Sequence, residues 1–192
     1  LEQMKRRGPN AKGTYLNCGN GKNLFLLHTR LSIIDVEARS NQPLDFDSNV
    51  IVYNGELYNF LELRNKLLQK GLNFVTDSDT EVFLKAHQFY GTEKALDLSE
   101  GMWAYALFDK SNGSLTLGRD RFGEKPLYYY LDYDGIYFGS EIKFIFTLLG
   151  KALAINFNQV NRYLVNGYKS LYKQKGTFFE GIQEVPPSTF LE

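Results

Sequence analysis

The chain has 192 residues, enough for one domain with a substantial core and short for two. Its 22 Lys and Arg against 22 Asp and Glu leave no net charge, which argues against binding nucleic acid or an anionic membrane. One cysteine, Cys18, rules out an internal disulfide and fits a reducing, cytoplasmic setting, and no apolar run approaches the roughly 20 residues of a membrane span.

The start, Leu1 to Arg7, is charged and unlike a signal peptide; it reads as the last turns of a helix stopped by Gly8-Pro9. The chain does not begin with Met and reads as a fragment. A short strand is expected near Thr14–Asn17, a turn at 18–21, and a strand over Asn23–His28. Thr29–Asp35 mixes polar and apolar residues and reads as an irregular strand end, and Val36–Phe46 as a loop around Asn41-Gln42-Pro43. Val50–Tyr53 suits a buried strand. Asn54-Gly55 reads as a corner ending it, since both residues tolerate positive φ. A helix follows over Leu57–Gln69, with Leu57, Phe60, Leu61, Leu67 and Leu68 as its apolar stripe.

Asn73–Thr76 is expected to be a brief strand. Ser78 or Asp79 caps a helix that runs to about Tyr90, and a short helix covers Glu93–Leu98. The period then changes to two. Gly101–Asp109 and Ser114–Gly118 form a hairpin through Asn112-Gly113, and Leu127–Leu131 and Ile136–Phe138 another through Asp134-Gly135. Helices are expected over Glu141–Leu149 and over Asn158–Asn166 with Asn158 as cap; Phe178–Glu192 is irregular and ends in a strand. Helices grouped in sequence beside hairpins imply an α+β fold rather than a doubly wound parallel sheet.

One Cys and two His, His28 and His87, cannot close a zinc site, so no metal is expected. No phosphate loop, dinucleotide fingerprint or G-x-S-x-G elbow is present. The polar residues that stand out are Arg30, Asn54, Gly55, Glu56 and Asp79, each at a strand end or a helix start. Arg30 offers a planar fork for a carboxylate, Asp79 an anion for an ammonium, and Asn54-Gly55 two N–H donors for an oxyanion. Each also has a plain structural use: Arg30 in a salt bridge, Asp79 as a helix cap, Asn54-Gly55 as a turn.

Several motifs occur in one order: RRGPN at Arg6–Asn10, HTRLSIID at His28–Asp35, NQP at Asn41–Pro43, YNGELYN at Tyr53–Asn59, SDTE at Ser78–Glu81, GMWAYALFD at Gly101–Asp109 and RDRFGEKPLYY at Arg119–Tyr129. SEIK at Ser140–Lys143 and VPPSTFLE at Val185–Glu192 continue the series. Together they resemble the N-terminal class II glutamine amidotransferase domain of glutamine-hydrolysing asparagine synthetases, over nearly the whole chain.

That resemblance implies a four-layer αββα sandwich of two antiparallel sheets, of the N-terminal-nucleophile (Ntn) hydrolase type, with its first strand missing. It implies L-glutamine as substrate and a C-terminal synthetase domain as partner. No cofactor belongs to this domain; ATP and Mg belong to the synthetase domain, where ammonia converts activated aspartate to asparagine. By position, Asn54 and Gly55 look like the oxyanion donors, Arg30 the clamp on the α-carboxylate and Asp79 the partner of the α-ammonium. Leu31, Ser32, Ile33, Ile34 and Glu56 look like further lining, and RDRFGEKPLYY a structural corner. The family's nucleophile is an N-terminal cysteine before the RRGPN motif. Cys18 lies after it, so residues 1–192 alone are expected to be inactive and to end near the junction with the synthetase domain. A homodimer is a candidate assembly, since an exposed sheet edge seeks a partner. The open alternatives are an amidotransferase for another carboxylate, such as a polysaccharide sugar, and an inactive docking domain of the same fold.

Overall fold

The computed structural model describes residues 1–19, 21–168, 171 and 176–192. β1 (Ala11–Gly19) and β2 (Lys22–Arg30) form an antiparallel hairpin. Next come β3 (Leu44–Phe46), β4 (Asn49–Leu57), then α1 (Phe60–Gln69), α2 (Asp79–Tyr90) and α3 (Thr92–Leu98). β5 (Gly101–Asp109), β6 (Ser114–Arg119), β7 (Tyr128–Asp132) and β8 (Gly135–Gly139) follow. The chain closes with α4 (Ile142–Leu149), α5 (Phe157–Asn166), β9 (Ile182–Glu184) and β10 (Phe190–Leu191). A five-stranded sheet runs β10-β6-β5-β4-β3 and a three-stranded sheet β8-β7-β9, with every pairing antiparallel.

Two-residue alternation in β4 and β5 sorts the core. Ile51, Tyr53, Leu57, Trp103, Tyr105 and Leu107 face α1, α2 and α3. Val50, Val52, Ala104, Ala106 and Phe108 face the opposite way, onto Leu26 of β2 and Tyr129 of β7. α4 packs outside β7 and β8. The order helices, sheet, sheet, helix is the expected four-layer arrangement. Its second layer is in two hydrogen-bonded pieces, β1-β2 and β8-β7-β9, instead of one continuous sheet.

The aromatic core centres on Phe83 of α2, whose ring lies 5.0 Å from Tyr53, 5.5 Å from Trp103, 5.2 Å from Tyr105 and 4.4 Å from His87. His87 pairs its Nδ1 with the Phe83 carbonyl at 2.8 Å, while its buried Nε2 has no partner among the described residues. Burial pushes its pKa down to about 4. A second buried hub is Asp120, with 0% exposure. Its carboxylate accepts the backbone N–H groups of Trp103, Phe122, Glu124 and Lys125 at 2.9 to 3.2 Å, tying the loop after β6 to β5.

Several expectations are corrected. Asn54-Gly55 is no corner: β4 continues through both residues to Leu57, because β5 pairs with it along its whole length. Asn73–Thr76 forms no strand. The Glu81 carboxylate takes the Val75 and Thr76 N–H groups at 2.9 and 2.6 Å, and Arg39 and Arg64 take their carbonyls. The loop over 36–46 contains a 3₁₀ turn at Ala38–Ser40 and β3, too short to show a period. The first residues make a 3₁₀ turn at Glu2–Met4. The cap of α5 is Asn156, accepting from the Gln159 N–H at 3.1 Å, and not Asn158.

Phe83→Ala is expected to cost about 3–5 kcal/mol, a loss that chemical denaturation would read. The pH dependence follows from His28 and His87, both held near pKa 4, chiefly by burial, against about 6.5 in an unfolded chain. A pKa depressed on folding gives stability that is complete above about 6.5 and is lost as pH falls toward 4. The denaturation midpoint should therefore drop between pH 7 and pH 4.5, and His87→Leu should shrink that drop.

Candidate active site

β3 pairs with β4 only as far as Ile51, so beyond that residue one edge of β4 is open among the described residues. Trp103, the register partner of Gly55, gives its N–H to the Asp120 carboxylate and its carbonyl to the Asp120 N–H. Gly55 and Trp103 are thus a non-hydrogen-bonded pair, and the N–H groups of Tyr53, Gly55 and Leu57 all point off the open edge. The Gln42 Oε1 accepts from Tyr53 at 2.6 Å, and the Asp79 Oδ2 accepts from Leu57 at 2.9 Å. Between them the Gly55 N–H has no partner among the described residues and borders a cavity of about 270 Å³.

Glycine is required at position 55 by close approach. A Cβ there would stand 2.2 Å from the Met102 carbonyl oxygen and 2.7 Å from the Trp103 Cα. Its φ lies outside the left-handed region, so the turn argument made from the sequence had the right residue for the wrong reason. Asn54, one step along, alternates to the other face and reaches the second layer. Its Nδ2 donates to the Ser140 Oγ at 3.3 Å.

Arg30, Asn54, Gly55, Glu56 and Asp79 all line this one cavity. Arg30 ends β2 and is 6% exposed. Its Nη1 donates to the Glu37 carbonyl and the Asn41 Oδ1 at 3.1 and 3.2 Å, and its Nη2 to the Ile34 carbonyl at 3.0 Å and the Asp35 carbonyl. Four of its five donors therefore shape the loop over 34–41, and Nε–H remains. Burial pulls the guanidinium below its ordinary pKa, opposed by the charges of Asp35 and Asp79, and it stays a cation. Asp79 is the first residue of α2, placed by Ser78, whose hydroxyl accepts the Glu81 N–H at 3.2 Å. Burial raises its pKa and the Glu56 charge adds to this, while hydrogen bonds from Leu57 and Thr80 act against it. The cavity thus presents a buried cation, a buried carboxylate and two amide donors.

Of the expected lining, Leu31, Ile33 and Ile34 border the cavity and Ser32 does not; the Ser32 N–H is bound to the Asn10 Oδ1 at 3.0 Å. Among the lining residues that escaped the sequence reading, four stand out. His28 and Gln42 line the wall, and Gln42 also reaches the Thr80 hydroxyl at 3.3 Å. Lys125 lines it from the motif read as mainly structural, and its ammonium makes no ion pair among the described residues. Ser140 touches Asn54. The signal for Lys125 and Ser140 was their place in RDRFGEKPLYY and SEIK, motifs to which no pocket role had been attached. Cys18 is exposed at the end of β1 and lies outside the cavity.

A family model described as a glutamine amidotransferase domain matches residues 1–192. The chain is 42% identical over 144 residues to asparagine synthetase [glutamine-hydrolyzing] 1 of Bacillus subtilis, covering 74% of this chain and 22% of that protein. It is 41% identical over 143 residues to asparagine synthetase B [glutamine-hydrolyzing] of Escherichia coli, covering 73% of this chain and 24% of that protein. The chain therefore spans about a quarter of the length of these relatives. Among solved structures it resembles the glutamine phosphoribosylpyrophosphate amidotransferase of Bacillus subtilis complexed with ADP and GMP, with a TM-score of 0.58 and 25% identity over 68% of this chain and 30% of that one. With its whole length matched and its fold shared with such an enzyme, the chain belongs to the glutamine amidotransferase domain family.

Proposed function

We propose that this domain releases ammonia from the side-chain amide of L-glutamine, and that its parent polypeptide uses the ammonia to amidate L-aspartate to L-asparagine with ATP. One observation carries the reading. The Asn54 carboxamide and the uncovered Gly55 N–H share a cavity with Arg30 and Asp79. A free amino acid carries a carboxylate and an ammonium at one end, and glutamine carries a carbonyl at the other. Asp79 receives the ammonium, which offsets the cost of burying its charge. Arg30 meets the carboxylate through its field and its Nε–H. The amide carbonyl then lies toward Asn54 and Gly55.

Attack on that carbonyl moves negative charge onto its oxygen, and two fixed N–H donors stabilise the oxyanion. Cys18 does not line the cavity; the attacking thiolate in this reading is the N-terminal cysteine that the family resemblance implies for the parent polypeptide. In this reading ATP and Mg²⁺ belong to a synthetase domain of the parent polypeptide, which supplies the acceptor; that the match covers about a quarter of two glutamine-hydrolysing asparagine synthetases supports a longer parent.

The full-length polypeptide is expected to hydrolyse glutamine. Asn54→Ala should lower kcat about 10²–10³-fold with a small change in KM. Unchanged rates in that variant would rule out the oxyanion assignment. Asp79→Asn should raise the KM for glutamine at neutral pH. In the wild type the KM should rise on acidification from a higher pH than an ordinary carboxylate would give, since a raised pKa means earlier loss of the anion.

A further inference from the structure

Asn54 can donate to an oxyanion only if its carboxamide is held with the nitrogen toward the substrate. A free carboxamide rotates about its last torsion, which is broad and roughly two-fold, and exchanges donor for acceptor. The Ser140 Oγ accepts one Nδ2 hydrogen at 3.3 Å. A primary amide carries two hydrogens about 120° apart in one plane, so fixing one fixes the other.

Ser140 sits between β8 and α4, where a serine would ordinarily cap the helix. It does not do so. The N-cap is Glu141, which makes no side-chain cap bond, and the Ser140 hydroxyl is turned to Asn54, 86 residues away. The corner that carries it is pinned on both sides. The Glu141 carboxylate meets Arg7 at 2.9 Å and Lys143 at 2.6 Å. Arg7, Ser140 and Asn54 all border the cavity. Two motifs without another role, RRGPN and SEIK, thereby meet at the amide donor.

We propose that Ser140 is a positioning residue that orients the Asn54 carboxamide for oxyanion binding, on a corner latched by the Arg7–Glu141 ion pair. This rests on the glutaminase reading of the site, and it adds a contact that can be tested apart from that reading.

Two measurements serve. In the full-length polypeptide, Ser140→Ala is expected to lower kcat for glutamine hydrolysis about tenfold, a fraction of the 10²–10³ of losing a donor outright, with KM within about twofold. Ser140→Thr, which keeps the hydroxyl, should recover most of the rate. A purely structural role would lower the melting temperature in both variants or move KM as much as kcat, and either pattern overturns the proposal. The second measurement needs no activity. In the 192-residue chain labelled with ¹⁵N, the two Asn54 side-chain amide protons should be well separated and slow to exchange in the wild type and in Ser140→Thr. In Ser140→Ala they should move toward free-amide values. An unaltered Asn54 amide in Ser140→Ala overturns the positioning role whatever the kinetics show. An altered amide in a full-length protein that does not hydrolyse glutamine supports the positioning and removes only the glutaminase reading.

Discussion

An unpaired stretch of β4 is the constraint on which the site depends. A buried strand cannot leave its amides without partners, because each orphaned donor costs about 1–3 kcal/mol. Past Ile51 this strand has no neighbouring strand on one side among the described residues, and side chains from distant loops supply what a strand would have supplied. Gln42 and Asp79 cover the positions flanking Gly55 and leave that one amide facing the cavity. One donor is thus left facing the cavity by withholding a partner at one place in an otherwise satisfied edge.

The same economy governs the loop after β2. Arg30 lends four donors to carbonyls and to Asn41, while the Asp35 carboxylate gathers the Ser40 hydroxyl at 2.6 Å and the Asp77 N–H at 2.7 Å. Asp77 immediately precedes Ser78, the cap of the helix that carries Asp79. The charges of the cavity and the loop architecture are therefore one network, and a substitution at Arg30 disturbs both. The guanidinium is better described as the post around which the pocket wall is wound than as a free fork.

Much of this was legible in the chain because the signals were local. Ser78 with Glu81 three residues on marked the start of α2, Asn112-Gly113 marked the β5–β6 hairpin, and alternation marked β5 to the residue. The five polar residues that stood out in the sequence, Arg30, Asn54, Gly55, Glu56 and Asp79, all line one cavity, whereas Ser32 does not. What was not legible depends on residues far apart in sequence. Asn54-Gly55 looks like a turn by itself and becomes a strand only because β5 lies alongside. Asn73–Thr76 looks like a strand and is prevented from being one by Glu81, Arg39 and Arg64. No local pattern could join Ser140 to Asn54, or bring Lys125 to the cavity.

The Asp120 hub has a consequence for how freely this region can drift or be engineered. Its carboxylate recognises main chain alone, so the loop it holds is indifferent to what projects from positions 122 and 124. Phe122 is 82% exposed and Glu124 is exposed as well. Dyes, affinity handles or charge reversals grafted at those two sites would ride on a scaffold whose course is already dictated from within.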